Sequence, residues 1–190
     1  MRILIELPTW LGDAVMATPA IENLVNFQNE VEITLIGSFV SIEALKNHPK
    51  VVKTLVLDKK YTSLVKIVRE LGSFDTFFSF RNSFRAKFLK FLISANNKHQ
   101  FNRNRYNNRH QVEKYNDFIN ESLNTNFPAG KLVLHTINST ISTDKLSLGI
   151  NPGASYGSAK RWYPQEFSQV AAELSSEYDI VIFGGPDEID

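Results

Sequence analysis

The chain contains no cysteine. That absence removes disulfides, thiolate metal sites and cysteine nucleophiles together. It also has almost no excess charge, +1 at neutral pH, so no global field draws it to nucleic acid or to a membrane. A charged partner must be met by a local patch. No apolar run reaches the length of a membrane span. The amino terminus enters an apolar strand pattern directly, without the charged and apolar regions of a signal peptide. No transmembrane segment and a cytoplasmic location are therefore expected. The few glycines form neither a G-x-G-x-x-G turn after a strand nor a Gly-Lys-Ser/Thr sequence, so the dinucleotide and Walker fingerprints are missing. His48, His99, His110 and His135 show no ligand spacing, and Asp187, Glu188 and Asp190 read as a solvated acidic tail. No metal and no cofactor are expected.

What is present is an ordinary globular composition, 43% hydrophobic and 22% charged over 190 residues, enough for one good core or a core and part of a second. Apolar runs at 3–5, 31–36, 51–57 and 74–80 read as strands. Between them, residues 13–27, 42–46, 62–71 and 83–93 read as helices, the last with Phe84, Phe88, Leu89 and Leu92 inward. Such alternation predicts a doubly wound parallel sheet. Residues 111–123 read as one more amphipathic helix. A polar stretch at 124–145, with 132–134 as a possible strand, reads as a connection. A second β-α-β unit follows, with strands at 146–151 and 179–183 and a helix at 164–177 that opens on Pro164. One such unit cannot cover both faces of a sheet, and the chain is expected to be cut short within this second domain.

The first turn, Pro8-Thr9-Trp10-Leu11-Gly12-Asp13-Ala14-Val15, links strand to helix. Gly12 is the residue there free to take any backbone angle. Asp13 falls in the first helical turn at the carboxyl edge of the sheet, where open α/β folds bind ligands. It reads either as a site residue or as a helix-capping carboxylate.

Residues 96–110 break the alternation. Lys98, His99, Arg103, Arg105, Arg109 and His110 stand among asparagines, with Phe101 and Tyr106 interleaved. The segment suits single-stranded nucleic acid, a small anionic ligand, or plain solvation as a basic loop. The loop Gly153-Ala154-Ser155-Tyr156-Gly157-Ser158-Ala159-Lys160-Arg161 precedes a helix and combines glycines, hydroxyls and two cations. It suits the diphosphate of a nucleotide or reads as a flexible basic loop.

Met1-Arg2-Ile3-Leu4-Ile5 with Pro8-Thr9-Trp10-Leu11-Gly12-Asp13-Ala14-Val15-Met16-Ala17-Thr18-Pro19-Ala20 resembles the opening of the ADP-heptose:lipopolysaccharide heptosyltransferases, glycosyltransferase family 9. Asn151-Pro152-Gly153-Ala154-Ser155-Tyr156-Gly157-Ser158-Ala159-Lys160-Arg161-Trp162 resembles the opening of that family's donor domain. Asn82-Ser83-Phe84-Arg85 and His110-Gln111-Val112-Glu113-Lys114-Tyr115 are similar to segments of its second heptosyltransferase.

The resemblance implies a GT-B type α/β fold: a Rossmann-like acceptor domain over residues 1–140 and the first β-α-β of an ADP-heptose-binding domain over 146–190. It implies inverting, metal-independent transfer of heptose from ADP-heptose to the anionic, lipid-anchored inner core of lipopolysaccharide, at the cytoplasmic face of the inner membrane. Asp13 matches the general base. Ser155, Gly157, Ser158 and Lys160 fall on the donor side, and Trp10, Gly12, Arg81, Arg85 and Arg109 on the acceptor side. No nucleic acid partner is expected on this reading. The alternative is a non-catalytic Rossmann-like module that binds anionic glycolipid or single-stranded nucleic acid through residues 98–110.

Overall fold

A computed structural model describes residues 1–28, 30–58, 61–137, 145–154 and 158–185. It divides into two compact units, 1–137 and 138–190. In the first, β1 (Arg2–Glu6), β2 (Glu32–Gly37), β3 (Val51–Val56), β4 (Ser73–Ser79) and β5 (Ser94–Gln100) form one sheet of order β3-β2-β1-β4-β5. Every pairing is parallel. The helices are α1 (Leu11–Met16), α2 (Thr18–Phe27), α3 (Phe39–Leu45), α4 (Tyr61–Leu71), α5 (Phe84–Leu92) and α6 (Gln111–Leu123).

The continuous apolar run of β1 is explained by cover on both faces. Ile3, Ile5 and Leu7 pack with Ile21 and Leu24 of α2, Ile42 and Leu45 of α3, and Phe118 and Ile119 of α6. Leu4, on the alternate face, packs with Leu64 of α4, Leu89 of α5 and Phe77 of β4, as the period of two requires. Helices α1–α3 therefore lie on one face and α4–α5 on the other. The direction of winding reverses between β1 and β4, and that is the topological switch point of the sheet.

The structure differs from the sequence reading in five places. The single helix expected over 13–27 is two, because Pro19 has no N–H to give the Val15 carbonyl. The Thr18 hydroxyl supplies that hydrogen bond instead, at 2.8 Å. Gly12 takes no left-handed angle; it sits inside α1, and a Cβ there would meet open space. Residues 96–100, read as the start of a basic segment, belong to the edge strand β5, whose polar sequence Ser-Ala-Asn-Asn-Lys-His-Gln suits an edge paired on one side only. Phe84 is not inward. Ser83 caps α5 and the buried stripe runs through Ala86 and Leu89 to Ile93, which leaves Phe84 on the opposite side, 79% exposed. The possible strand at 132–134 is irregular chain, pinned to α2 where the Val133 N–H donates to Thr18 Oγ1 at 3.1 Å.

In the second unit β6 (Leu146–Ile150) pairs in parallel with β7 (Tyr178–Ile182), joined through α7 (Pro164–Leu174) with Pro164 in its first turn. Among the described residues of this unit no side chain is buried, whereas β1 and β4 are buried almost throughout. Backbone hydrogen bonds that lack such cover open at low cost. Amide exchange in this 190-residue chain is therefore expected to be at least roughly 100-fold slower in β1, β2 and β4 than in β6 and β7. Equal protection would show that β6 and β7 gain cover from elsewhere.

Candidate functional site

At the switch point, the edge where open α/β sheets bind ligands, two turns leave the sheet toward opposite faces. After β1 the chain runs through Leu7 and Pro8 to Trp10, which is extended (φ −93°, ψ 143°) and opens α1 with no side-chain cap. Trp10 is 67% exposed, and Gly12 beside it is exposed. Asp13 follows in the first turn, half-buried.

Among the described residues no hydrogen bond or ion pair holds the Asp13 carboxylate. It is not occupied in capping its own helix. Its field instead reaches Tyr115 of α6. Burial first, and then the Asp13 charge, push the Tyr115 phenol well above its usual range, while Arg103 opposes them. Asp13, Tyr115 and Arg103 thus share one neighbourhood, made where α1 meets α6.

Across the switch point, β4 ends in Ser79 and continues into Arg81. Here lies a residue that sequence reasoning passed over. Glu6, the last residue of β1, is completely buried. Its Oε2 accepts the Ser79 hydroxyl at 2.6 Å, and its Oε1 lies 3.5 Å from Arg81 Nη1 without a hydrogen bond. Burial raises its pKa, against the Ser79 hydrogen bond and the charges of Arg81 and Arg85. The available signal was a carboxylate inside a strand that must be covered on both faces, a placement that demands a cationic partner. Arg85 donates to the Asp58 carbonyl through Nη2.

The basic segment resolves into separate roles. His99 stacks on Phe78 with ring centroids 5.1 Å apart. Arg105 pairs with Glu121, and Arg109 pairs with Asp117 at 3.0 Å and Glu113 at 3.5 Å. His110 caps α6, where its Nδ1 accepts the Val112 N–H and Glu113 accepts the His110 N–H. Arg103 has no ion-pair partner among the described residues and is the cation that Tyr115 senses. Of the charge that looked pooled in the sequence, Arg105 and Arg109 are neutralised in place, while Lys98 and Arg103 have no ion-pair partner among the described residues.

In the second unit Ser158–Lys160 form a 3₁₀ turn, and Lys160 is exposed. Arg161 turns back on its own loop, donating to the Ala154 carbonyl through Nε at 3.1 Å and Nη2 at 2.6 Å. Ser155 and Gly157 lie outside the described residues, as does the side chain of Ser158.

One histidine cluster was invisible in the spacing. His48 and His135 both reach Glu22 Oε1 through Nε2, at 3.2 and 3.3 Å. Three such groups converging could hold a metal. The Lys50 N–H, however, donates to His48 Nδ1 at 3.0 Å, so neutral His48 carries its proton on Nε2, the atom a metal would need bare. The adjoining cavity, about 10 Å³, is too small for a sugar. The donor set fits a hydrogen-bonded tether of residues 131–137 to α2 and not an ion.

A parallel, doubly wound sheet with a carboxylate and cations at its switch point defines a Rossmann-like α/β domain. The chain belongs to glycosyltransferase family 9 (heptosyltransferase), whose model it matches over residues 66–190. It is 40% identical to lipooligosaccharide heptosyltransferase 2 of Campylobacter jejuni, over 97% of this chain and 60% of that protein. It thus spans about three fifths of that relative's length. Its fold matches a glycosyltransferase family 9 structure from Veillonella parvula with a TM-score of 0.80 at 21% identity, over 99% of this chain and 63% of the other. An E. coli heptosyltransferase solved with ADP-2-deoxy-2-fluoro heptose matches with a TM-score of 0.76 at 16% identity, over 99% and 70%. These GT-B type relatives agree with the parallel α/β architecture found here. Among the described residues no helix is long and apolar enough to cross a membrane.

Proposed function

We propose that this chain carries the acceptor-side domain and the start of the donor side of an inverting heptosyltransferase. The complete protein transfers heptose from ADP-heptose to the lipopolysaccharide inner core, as its second heptose, in the cytoplasm at the inner membrane. The observation that carries the reading is Asp13: a half-buried carboxylate at the switch point with no partner among the described residues. The relatives' names support the substrate class.

In this mechanism Asp13 takes the proton of the acceptor hydroxyl as its oxygen attacks the anomeric carbon. The bond from that carbon to the ADP oxygen breaks, and its electron pair leaves with ADP. Lys160, with Ser155, Gly157 and Ser158, offsets the charge gathering on ADP without a metal. Trp10 and Gly12 border the acceptor. Arg81, Arg85 and Arg103 meet its anionic groups, and Arg109 joins them by exchanging Asp117 and Glu113 for the ligand.

The test is a transfer assay with the complete protein, ADP-heptose and a heptose-deficient inner-core acceptor. Expected are ADP release and an acceptor heavier by one heptosyl unit; release of ADP with no change in the acceptor would refute the reading. Arg103→Ala is expected to raise the acceptor KM about tenfold and to flatten its salt dependence, with donor KM unchanged. An unchanged acceptor KM would remove Arg103 from the acceptor site.

A further inference from the structure

Three phenylalanines of α5 bear on one question, namely what covers the outside of this helix. Phe84 and Phe91 are each 79% exposed and stand seven residues apart, two turns along the same outward stripe. Lys87, exposed, and Phe88, half-buried, fall between them at the i+3 and i+4 positions. A surface helix ordinarily turns polar residues to solvent; this one turns two large rings.

We propose that this face of α5 docks on an anionic lipid surface. The choice of occupant follows from charge. Between Phe84 and Leu92 the helix holds three cations, Arg85, Lys87 and Lys90, and no carboxylate. Helix α4 packs beside it and exposes Lys66 and Arg69 against a single acid, Glu70. Exposed rings interleaved with lysines suit the boundary between headgroups and acyl chains: the rings enter the apolar layer and the ammonium groups stay with the phosphates. A stripe of only two fully exposed rings gives weak, reversible attachment that depends on lipid charge.

The position of α5 fits such a role. Its amino end follows Ser83 and Arg81 directly, at the carboxyl edge of the sheet beside the switch point. A surface docked on α5 would therefore lie close to the site that holds Asp13. This inference deepens the proposed function, since it supplies a contact by which the enzyme would meet a lipid-anchored acceptor.

The test is co-sedimentation of the complete protein with vesicles of phosphatidylethanolamine and phosphatidylglycerol, against vesicles of phosphatidylcholine alone. Binding is expected to the anionic vesicles only and to weaken with salt. Phe84→Ser with Phe91→Ser is expected to lower it by roughly tenfold or more, and Lys87→Glu by a smaller factor. Both rings are exposed, so the melting temperature should not move, and transfer to a detergent-dispersed acceptor should stay within about twofold of wild type.

Absence of vesicle binding by the wild type, or binding untouched by the double substitution, would overturn the proposal. Loss of self-association or of a protein partner in the double variant, without vesicle binding, would assign the face to protein contact and overturn it equally. Vesicle binding needs no heptosyl transfer. A protein that binds vesicles and transfers nothing would thus refute the function and keep the docking face, and the reverse result would do the opposite.

Discussion

Asp13→Asn in the complete protein is expected to lower kcat by about a hundredfold or more, the loss typical of a positioned general base. The acceptor and donor KM values should change little, because the amide keeps the shape of the side chain. Folding should survive, since no hydrogen bond or ion pair to the carboxylate is lost. A second readout marks the same charge from inside the protein. Burial first, and then the Asp13 carboxylate, raise the Tyr115 phenol, so in Asp13→Asn that tyrosine should ionise at lower pH than in wild type. Unchanged turnover with a shifted Tyr115 would leave Asp13 as a neighbour of the site and not its base.

Lys160→Ala is the second substitution with a large expected effect. A single preorganised donor aimed at developing charge is worth about 10²–10³ in kcat, and Lys160 is exposed, while the neighbouring Arg161 is held by the Ala154 carbonyl. Lys160→Ala should therefore lower kcat about a hundredfold, with Lys160→Arg recovering part of it. Arg161→Ala should act instead through loop order, with a larger change in donor KM than in kcat. Equal losses from the two variants would mean that Lys160, too, is a loop-positioning residue.

Much of the fold was readable because its physics is local. Ile3, Leu4 and Ile5 make a run that only a doubly covered strand tolerates, and the helix expected over 62–71 ends at Leu71, before Gly72 with its φ of +73°. The misses have other causes. β5 is an edge strand, so Asn96, Asn97 and Lys98 carry no hydrophobic pattern to betray it. Phe84 is aromatic and sits on an amphipathic helix, and aromatic character alone does not fix a facing direction. The Thr18-Pro19 pair did carry the helix break, but the rescuing hydroxyl bond appears only with coordinates.

The site divides the same way. Asp13 was legible from its place after a strand and at a helix start. Glu6 with Arg81, and His48 with His135, are separated by 75 and 87 residues, and no spacing rule links such pairs. The neutralisation of Arg109 by α6 depends on which side of that helix faces it, which sequence composition does not record.

The central claim is a single displacement at the switch point, with Asp13 as base and ADP as leaving group. It is tested most directly by the anomeric configuration of the new heptosyl bond, read by NMR on product made from ADP-heptose of defined configuration. One displacement predicts the configuration opposite to the donor's in wild type, and the same inverted product, made far more slowly, in Asp13→Asn. A product that retains the donor's configuration would require two displacements or a different face of attack, and would contradict the role given to Asp13.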